Sequence, residues 1–285
     1  MRIVDAHHHL WDPRAIKYSL LDGTGRLSPL SKSFLATAYD EIARENGATW
    51  AIAVEAASAG ADPRAETSWL LEEVRRSKVT RRVVAWAPIE TSEIGRYLDT
   101  LLASSGDRLV GVRRSFESVP AGFASSSQVV AGIREVAARG LVFDFVLFAD
   151  RLPEVIELVR RLPEATFVLD HLGKPALSHW VPPSWKRDLI ALARLPNVSA
   201  KVSGLITESP ADPWTTEMLR PYFDHAVASF GWDRLMFASD WPVCELAGGY
   251  RRWLEVVGVA ASTATAAERN AFFHGTADRV YRSHR

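Results

Sequence analysis

The segment Arg2-Ile3-Val4-Asp5-Ala6-His7-His8-His9-Leu10-Trp11 reads as a short buried strand that runs out into three histidines. A doubly wound nucleotide-binding sheet would place a glycine-rich phosphate turn after its first strand. No glycine follows here, and imidazoles stand where that turn would be. Seven more β-rich runs recur along the chain: Thr49–Glu55, Arg82–Ile89, Leu109–Arg113, Leu141–Phe148, Thr166–Asp170, Val198–Val202 and Leu235–Ser239. Several are almost wholly apolar, as parallel strands covered on both faces are. Helical patterns fill the gaps. Asp62-Pro63 supplies an N-cap and a first-turn proline. Val129, Val130, Ile133, Val136 and Ala137 form a stripe that stops at Gly140. Met218, Leu219, Tyr222, Phe223, Val227 and Phe230 form another before Gly231, with Pro221 predicting a late start or a kink. Eight strand–helix units over residues 1–285 predict one (β/α)8 TIM barrel domain, an architecture that typically takes ~250 residues.

Composition narrows the function. The 285 residues are 47% hydrophobic and 24% charged, so a large core is easily buried. Lys plus Arg and Asp plus Glu each total 34, for a net charge of zero. That balance argues against nucleic acid, whose binding rests on clustered basic charge. No run approaches the ~20 apolar residues that span a bilayer; the most apolar, Leu141–Ala149, is broken by Asp144. Asp5 and the histidines leave no signal-peptide core near the start. Cys244 is the single cysteine, which excludes an internal disulfide framework and a cysteine-based zinc knuckle. The expectation is a soluble cytoplasmic protein acting on a small molecule; a homo-oligomer is compatible with the sequence.

In a barrel the reactive groups lie where strands enter their following loops. Those ends are polar here: Asp5 to His9, Glu55, Arg113-Arg114, Asp170-His171, Lys201 to Ser203, and Ser239-Asp240. His7 and His9 share a strand face, with His8 turned away, so two imidazoles can converge on a divalent ion or a carbonyl oxygen. Asp240 closes the last strand and could ligate a metal, act as a general base, or cap the next loop. His171 could donate to a substrate oxygen. Trp11 and Trp241 flank the strongest motifs and suit either sugar stacking or the core. Lys201 suits either a substrate contact or an ion pair.

Val4-Asp5-Ala6-His7-His8-His9-Leu10-Trp11-Asp12, Leu169-Asp170-His171-Leu172-Gly173-Lys174-Pro175, Lys201-Val202-Ser203-Gly204-Leu205 and Phe237-Ala238-Ser239-Asp240-Trp241-Pro242 resemble the amidohydrolase superfamily. The match is to its amidohydrolase-2 branch, which includes sugar lactonases of the L-fuconolactonase and L-rhamnonolactonase group. The resemblance implies hydrolysis of a lactone at the barrel mouth, with His7, His9, His171 and Asp240 in the positions of the family's histidines and aspartate. Arg113 matches a substrate-binding arginine of some relatives, with Arg114 its opposite-facing alternative. The two-metal members use a modified lysine on the fourth strand and a histidine on the fifth, and this chain has neither. A single ion, zinc or manganese, held by His7, His9, Glu55 and Asp240 is the corresponding expectation, with no organic cofactor. Sugar-acid (aldono) lactones are the expected substrates. The alternatives are hydrolysis or decarboxylation of an aromatic-breakdown product such as a muconolactone, and a non-catalytic binding protein, which would not keep all four of these residues.

Overall fold

In the computed structural model, which describes residues 2–57, 60–178, 180–208 and 214–282, every one of the eight apolar runs contains a strand. They are β1 (Ile3–His8), β2 (Ala48–Val54), β3 (Thr80–Trp86), β4 (Leu109–Ser115), β5 (Val142–Val146), β6 (Phe167–Leu169), β7 (Val198–Val202) and β8 (Leu235–Phe237). Neighbours in sequence pair in parallel, in the order β1 to β8. Between and after them lie α1 (Ala36–Glu45), α2 (Pro63–Arg76), α3 (Ile94–Ser105), α4 (Ser127–Ala138), α5 (Leu152–Arg160), α6 (Pro183–Ala193), α7 (Thr216–Phe230) and α8 (Gly249–Ala260). The fold is the expected (β/α)8 barrel.

Local chemistry accounts for the helix starts. Asp62 accepts hydrogen bonds from the Arg64 and Ala65 amides at the head of α2, with Pro63 in the first turn. Helix α7 neither starts late nor waits for Pro221. The Thr215 hydroxyl caps the Met218 amide, so the helix begins at Thr216 and carries Pro221 inside it. Met218, Leu219, Tyr222 and Phe223 on its buried face compensate the one backbone bond that proline removes.

Side chains alternate between two layers. Phe143, Phe145, Phe167 and Leu169 pack outward with the helices. Val4, Ala6, Val54, Val84, Val142, Val168, Met236 and Ala238 fill the interior, where Ala277 and Tyr281 close one end. The last short helix, α10 (Thr276–Val280) after α9 (Ala266–Asn270), carries Ala277 and leads into that tyrosine.

Strand β1 breaks strict alternation. With Val4 and Ala6 inside, His8 would be next to point inward. Asp5 pairs with Ala51 and His8 with Ala53, so β1 spends three steps where β2 spends two. This bulge flips the parity. His8 turns outward and stacks on Tyr39 at 3.6 Å, while its Nε2 meets the Thr80 hydroxyl. His7 and His9 are thereby aimed into the barrel.

The barrel closes where β1 meets the end of β8. The Asp240 amide donates to His7 O at 2.9 Å and the His9 amide to Trp241 O at 2.6 Å. Asp5 fastens the same seam, accepting from the Ser239 amide at 2.8 Å and the Tyr39 hydroxyl at 2.7 Å. Burial pushes its carboxyl up to about 6, against those hydrogen bonds.

Candidate active site

The closing seam brings three imidazoles and one carboxylate together at the C-terminal end of the barrel, where such folds hold their chemistry. Asp240 Oδ1 lies 3.5 Å from His9 Nε2, 3.8 Å from His7 Nε2 and 4.0 Å from His171 Nε2. The His7 and His9 Nε2 atoms are 3.0 Å apart. All four residues are buried.

Two of the four sit on backbone that side chains rarely adopt. Asp240 has φ 59° and His171 φ 53°, followed by Leu172 at φ 52°. Left-handed residues of this kind cost about 1–2 kcal/mol each, and they cluster at sites where a side chain must be aimed. His171 is held from behind as well. Its Nδ1 meets Ser203 Oγ at 2.8 Å, and a Cβ on Gly204, itself at φ 68°, would lie 2.7 Å from the His171 ring. Glycine there leaves room for the imidazole.

Beneath this cluster lies a buried ionic layer. Arg113 donates to Glu55 Oε1 at 2.6 Å, to the Glu55 carbonyl at 2.7 Å and to Asp170 Oδ2 at 3.2 Å. Lys201 Nζ donates to Asp144 Oδ2 at 2.5 Å and lies 2.9 Å from Asp170 Oδ1. The Tyr281 hydroxyl donates to Asp144 Oδ2 from the far side. Burial disfavours charge on both carboxylates. For Asp170 the surrounding Lys201, His7 and Arg113 outweigh it and hold the group well below the carboxylate range, whereas Asp144 is pushed up to about 6. Lys201 thus stands between two buried carboxylates whose surroundings push them in opposite directions.

The same physics orders the upper cluster. Burial opposes ionisation of Asp240, but the surrounding imidazoles of His171, His9 and His7 outweigh it and hold the carboxyl below its ordinary range. Burial lowers His7 well below the usual imidazole value, with Asp170 opposing and Lys201 reinforcing it. His171 is lowered by burial too, against Asp240.

The residues singled out from the sequence fall into two sets. His7, His171 and Asp240 offer donor atoms within 4.8 Å of one another, a group that could hold one metal ion. Donors bound to one zinc at ~2.0–2.2 Å stand roughly 3.3 Å apart. The separations of 3.0–4.0 Å between His7 and His9 and from Asp240 to each histidine bracket that figure, so His7, His171 and Asp240 fit a divalent ion, and His9 stands beside them. Glu55, expected in the ligand set, is engaged by the guanidinium next to that group. Its Oε1 is bound to Arg113, and it is outside the three-donor group. Arg113 faces the interior, while Arg114 pairs with Glu90 on the other side of β4. Lys201 makes the ion pair rather than an exposed contact, with Nζ fully buried. The Trp11 indole donates to Leu30 O and Lys32 O, and its ring packs on Phe34. Trp241 packs between Phe34 and Tyr39. Both rings are core, 3% and 1% exposed.

Asp144, Asp170 and Ser203 belong to the site's support and carried no assigned role in the sequence reading. A carboxylate inside an otherwise apolar strand, facing Lys201 on another, was the available signal. A further buried acid lies next door. Glu66 accepts from the Ala56 amide at 3.0 Å, its other oxygen has no partner, and burial followed by the charge of Glu55 pushes it up to about 8. The folded state thus holds this proton more tightly than the unfolded chain, whose glutamate titrates near 4.5. Its stabilisation is full below that value and is lost as pH rises toward 8, by an amount on the order of a few kcal/mol. Glu66→Gln is therefore expected to leave the melting temperature unchanged at pH 5 and to raise it at pH 9. Calorimetric melts across that range check this, and parallel wild-type and variant profiles would sink it.

The amidohydrolase family model matches residues 4–283, and the chain belongs to that family; it is a hydrolase. The chain is 32% identical to an L-fucono-1,5-lactonase of Burkholderia multivorans, over 98% of its own length and 95% of the relative's. It superposes on the zinc-bound crystal structure of an amidohydrolase from Burkholderia multivorans with a TM-score of 0.89, at 30% identity and 99% coverage of both chains. A citrate-bound structure described as a probable 2-pyrone-4,6-dicarboxylic acid hydrolase of Acinetobacter baumannii shares the fold, at TM-score 0.79 and 17% identity over 99% of both chains. Among the described residues, no helix is long and apolar enough to cross a membrane.

Proposed function

We propose that this hydrolase opens the ring of a sugar-acid lactone, with Asp240 as the base. The observation that carries the reading is the Asp240 carboxylate, held on strained backbone and ringed by His7, His9 and His171. The kinship to an L-fucono-1,5-lactonase supports the substrate class.

Ester-type hydrolysis needs a base for the attacking water and a positive or donor group facing the developing oxyanion. Ionised Asp240 can take the water's proton at its carboxylate. Because its carboxyl is held below the ordinary range, it retains that proton briefly and can pass it to the leaving ring oxygen. His171, oriented by Ser203, presents Nε2 beside Asp240, where without an ion it can donate to an oxygen of the substrate and with one it is a ligand. Zinc or manganese bound by His7, His171 and Asp240, with His9 alongside, would supply a Lewis acid for the carbonyl. Arg113, Glu55, Asp170 and Lys201 act from below, by fixing His7 in place.

The test is proton release followed with a pH indicator across a panel of aldonolactones, muconolactones and pyrone dicarboxylates. Rapid, stereoselective opening of an aldonolactone, lost on chelation and restored by zinc or manganese, is the expected result. Turnover confined to muconic or pyrone rings would replace the sugar-lactone reading with hydrolysis of aromatic-breakdown products. Release of carbon dioxide would replace it with decarboxylation.

A further inference from the structure

The protons around His7 can be placed by hydrogen-bond accounting. His9 Nδ1 lies 3.0 Å from Val54 O. A carbonyl only accepts, so His9 carries its proton on Nδ1 and presents a lone pair at Nε2. His7 Nε2 is 3.0 Å from that lone pair. Two lone pairs would repel at this distance, so His7 Nε2 must donate. Neutral His7 then has a lone pair at Nδ1, and Lys201 Nζ, 3.2 Å away, donates to it. Arg113 Nη1 is the competing donor toward His7 Nε2. It stands at 3.5 Å and is already bound to Asp170 Oδ2 at 3.2 Å.

A second partner waits on the same nitrogen. Asp170 Oδ1 lies 3.3 Å from His7 Nδ1. It is buried without a well-aligned hydrogen bond, although Lys201 Nζ is only 2.9 Å away. An ionised carboxylate can only accept. It would be satisfied by a proton on His7 Nδ1, and that tautomer frees Nε2 to face Asp240 and His171 as a metal ligand.

We propose that Lys201 and Asp170 are positioning residues that compete for His7 Nδ1 and so set whether His7 Nε2 is a proton donor to His9 or a ligand for a divalent ion. This rests on the metal reading of the site given above. To ligate an ion, Nε2 would give its proton to solvent at the mouth, and Nδ1 would receive one from Lys201 Nζ, itself recharged from solvent, and share it with Asp170 as a hydrogen bond. The imidazole is neutral before and after, so His7 contributes no net proton to the exchange. Partners of this kind behind a ligating histidine typically alter metal affinity by 10–100-fold.

The experiment uses the full chain labelled with 15N, with histidine ring nitrogens read by NMR after chelation and again after adding zinc. The expected spectrum shows His7 as the Nε2–H tautomer without zinc and the Nδ1–H tautomer with it. Asp170→Asn, whose amide can donate to Nδ1, is expected to weaken zinc at least 10-fold in competition with a chromogenic chelator. Lys201→Met is expected to shift His7 toward Nδ1–H before any zinc is added. Should that variant fail to fold, the wild-type spectra and Asp170→Asn still decide. Zinc that perturbs His9 and His171 while His7 stays Nε2–H, or unchanged affinity in Asp170→Asn, overturns the proposal and leaves the metal site standing. No zinc effect on any of the three histidines overturns the metal reading and this inference with it. Lactone turnover enters neither readout, so failure of the substrate assignment is seen separately.

Discussion

Asp240→Asn is expected to lose roughly 10²- to 10⁴-fold in kcat, the range a positioned general base supplies. The substitution keeps the shape of the side chain. Asparagine also tolerates the left-handed backbone found at this position (φ 59°) nearly as well as aspartate, so the turn should survive. What it removes is the acceptor for the water's proton and the negative charge ringed by three imidazoles. The fold should therefore survive, with some loss of melting temperature from the missing charge, while turnover collapses. Steady-state kinetics on the lactone found by the panel, beside a circular dichroism melt, makes the comparison. A variant within a few-fold of wild-type kcat would remove Asp240 from the role of base.

The second large effect falls on stability. Arg113 is the cation between Glu55 and Asp170, and both carboxylates are fully buried. Truncating it to methionine keeps much of the stem and leaves two acids without that partner. Breaking a buried pair in this way costs about 3–5 kcal/mol, because the orphaned charge has no water to turn to. Arg113→Met is expected to lose that much in urea or guanidinium unfolding, and Arg113→Lys to recover only part of it. A lysine offers one point charge where the arginine spreads donors over Glu55 Oε1, Glu55 O and Asp170. A loss below about 1 kcal/mol would mean that Glu55 and Asp170 are held by something other than this guanidinium.

The barrel was legible because its strands are buried on both faces. Continuous apolar runs such as Leu235–Ser239 announce themselves whatever their neighbours are. The His7 and His9 pairing was legible for a similar reason, since alternate residues on a strand share a side. That His8 is the one turned away does not follow from the alternation itself. Counting inward from Val4 and Ala6 would send His8 to the interior, and only the bulge against β2, a property of pairing with another segment, reverses that count. Glu55 illustrates a different limit. A carboxylate at a strand end looks equally suited to an ion or to a guanidinium, and the choice rests on Arg113 reaching it from two strands away. Trp11 and Trp241 were read with two uses, and their burial follows from Phe34 and Tyr39, which come from the segments leading into and forming α1. Asp144 registered only as a break in an apolar stretch. Its purpose depends on Lys201 and Tyr281, both remote in sequence.

The seam fastened by Asp5 and Ser239 joins residues 234 positions apart. The imidazoles of β1 thus meet their carboxylate only once β8 has been made. Loop closure over such a span is entropically demanding, and contacts of long sequence separation tend to form late. A nascent fragment ending before β8 contains His7, His9 and His171 but has nothing to gather them around. On the proposed mechanism, catalytic competence is therefore a signal of completed closure: the last strand to dock also delivers the proposed base.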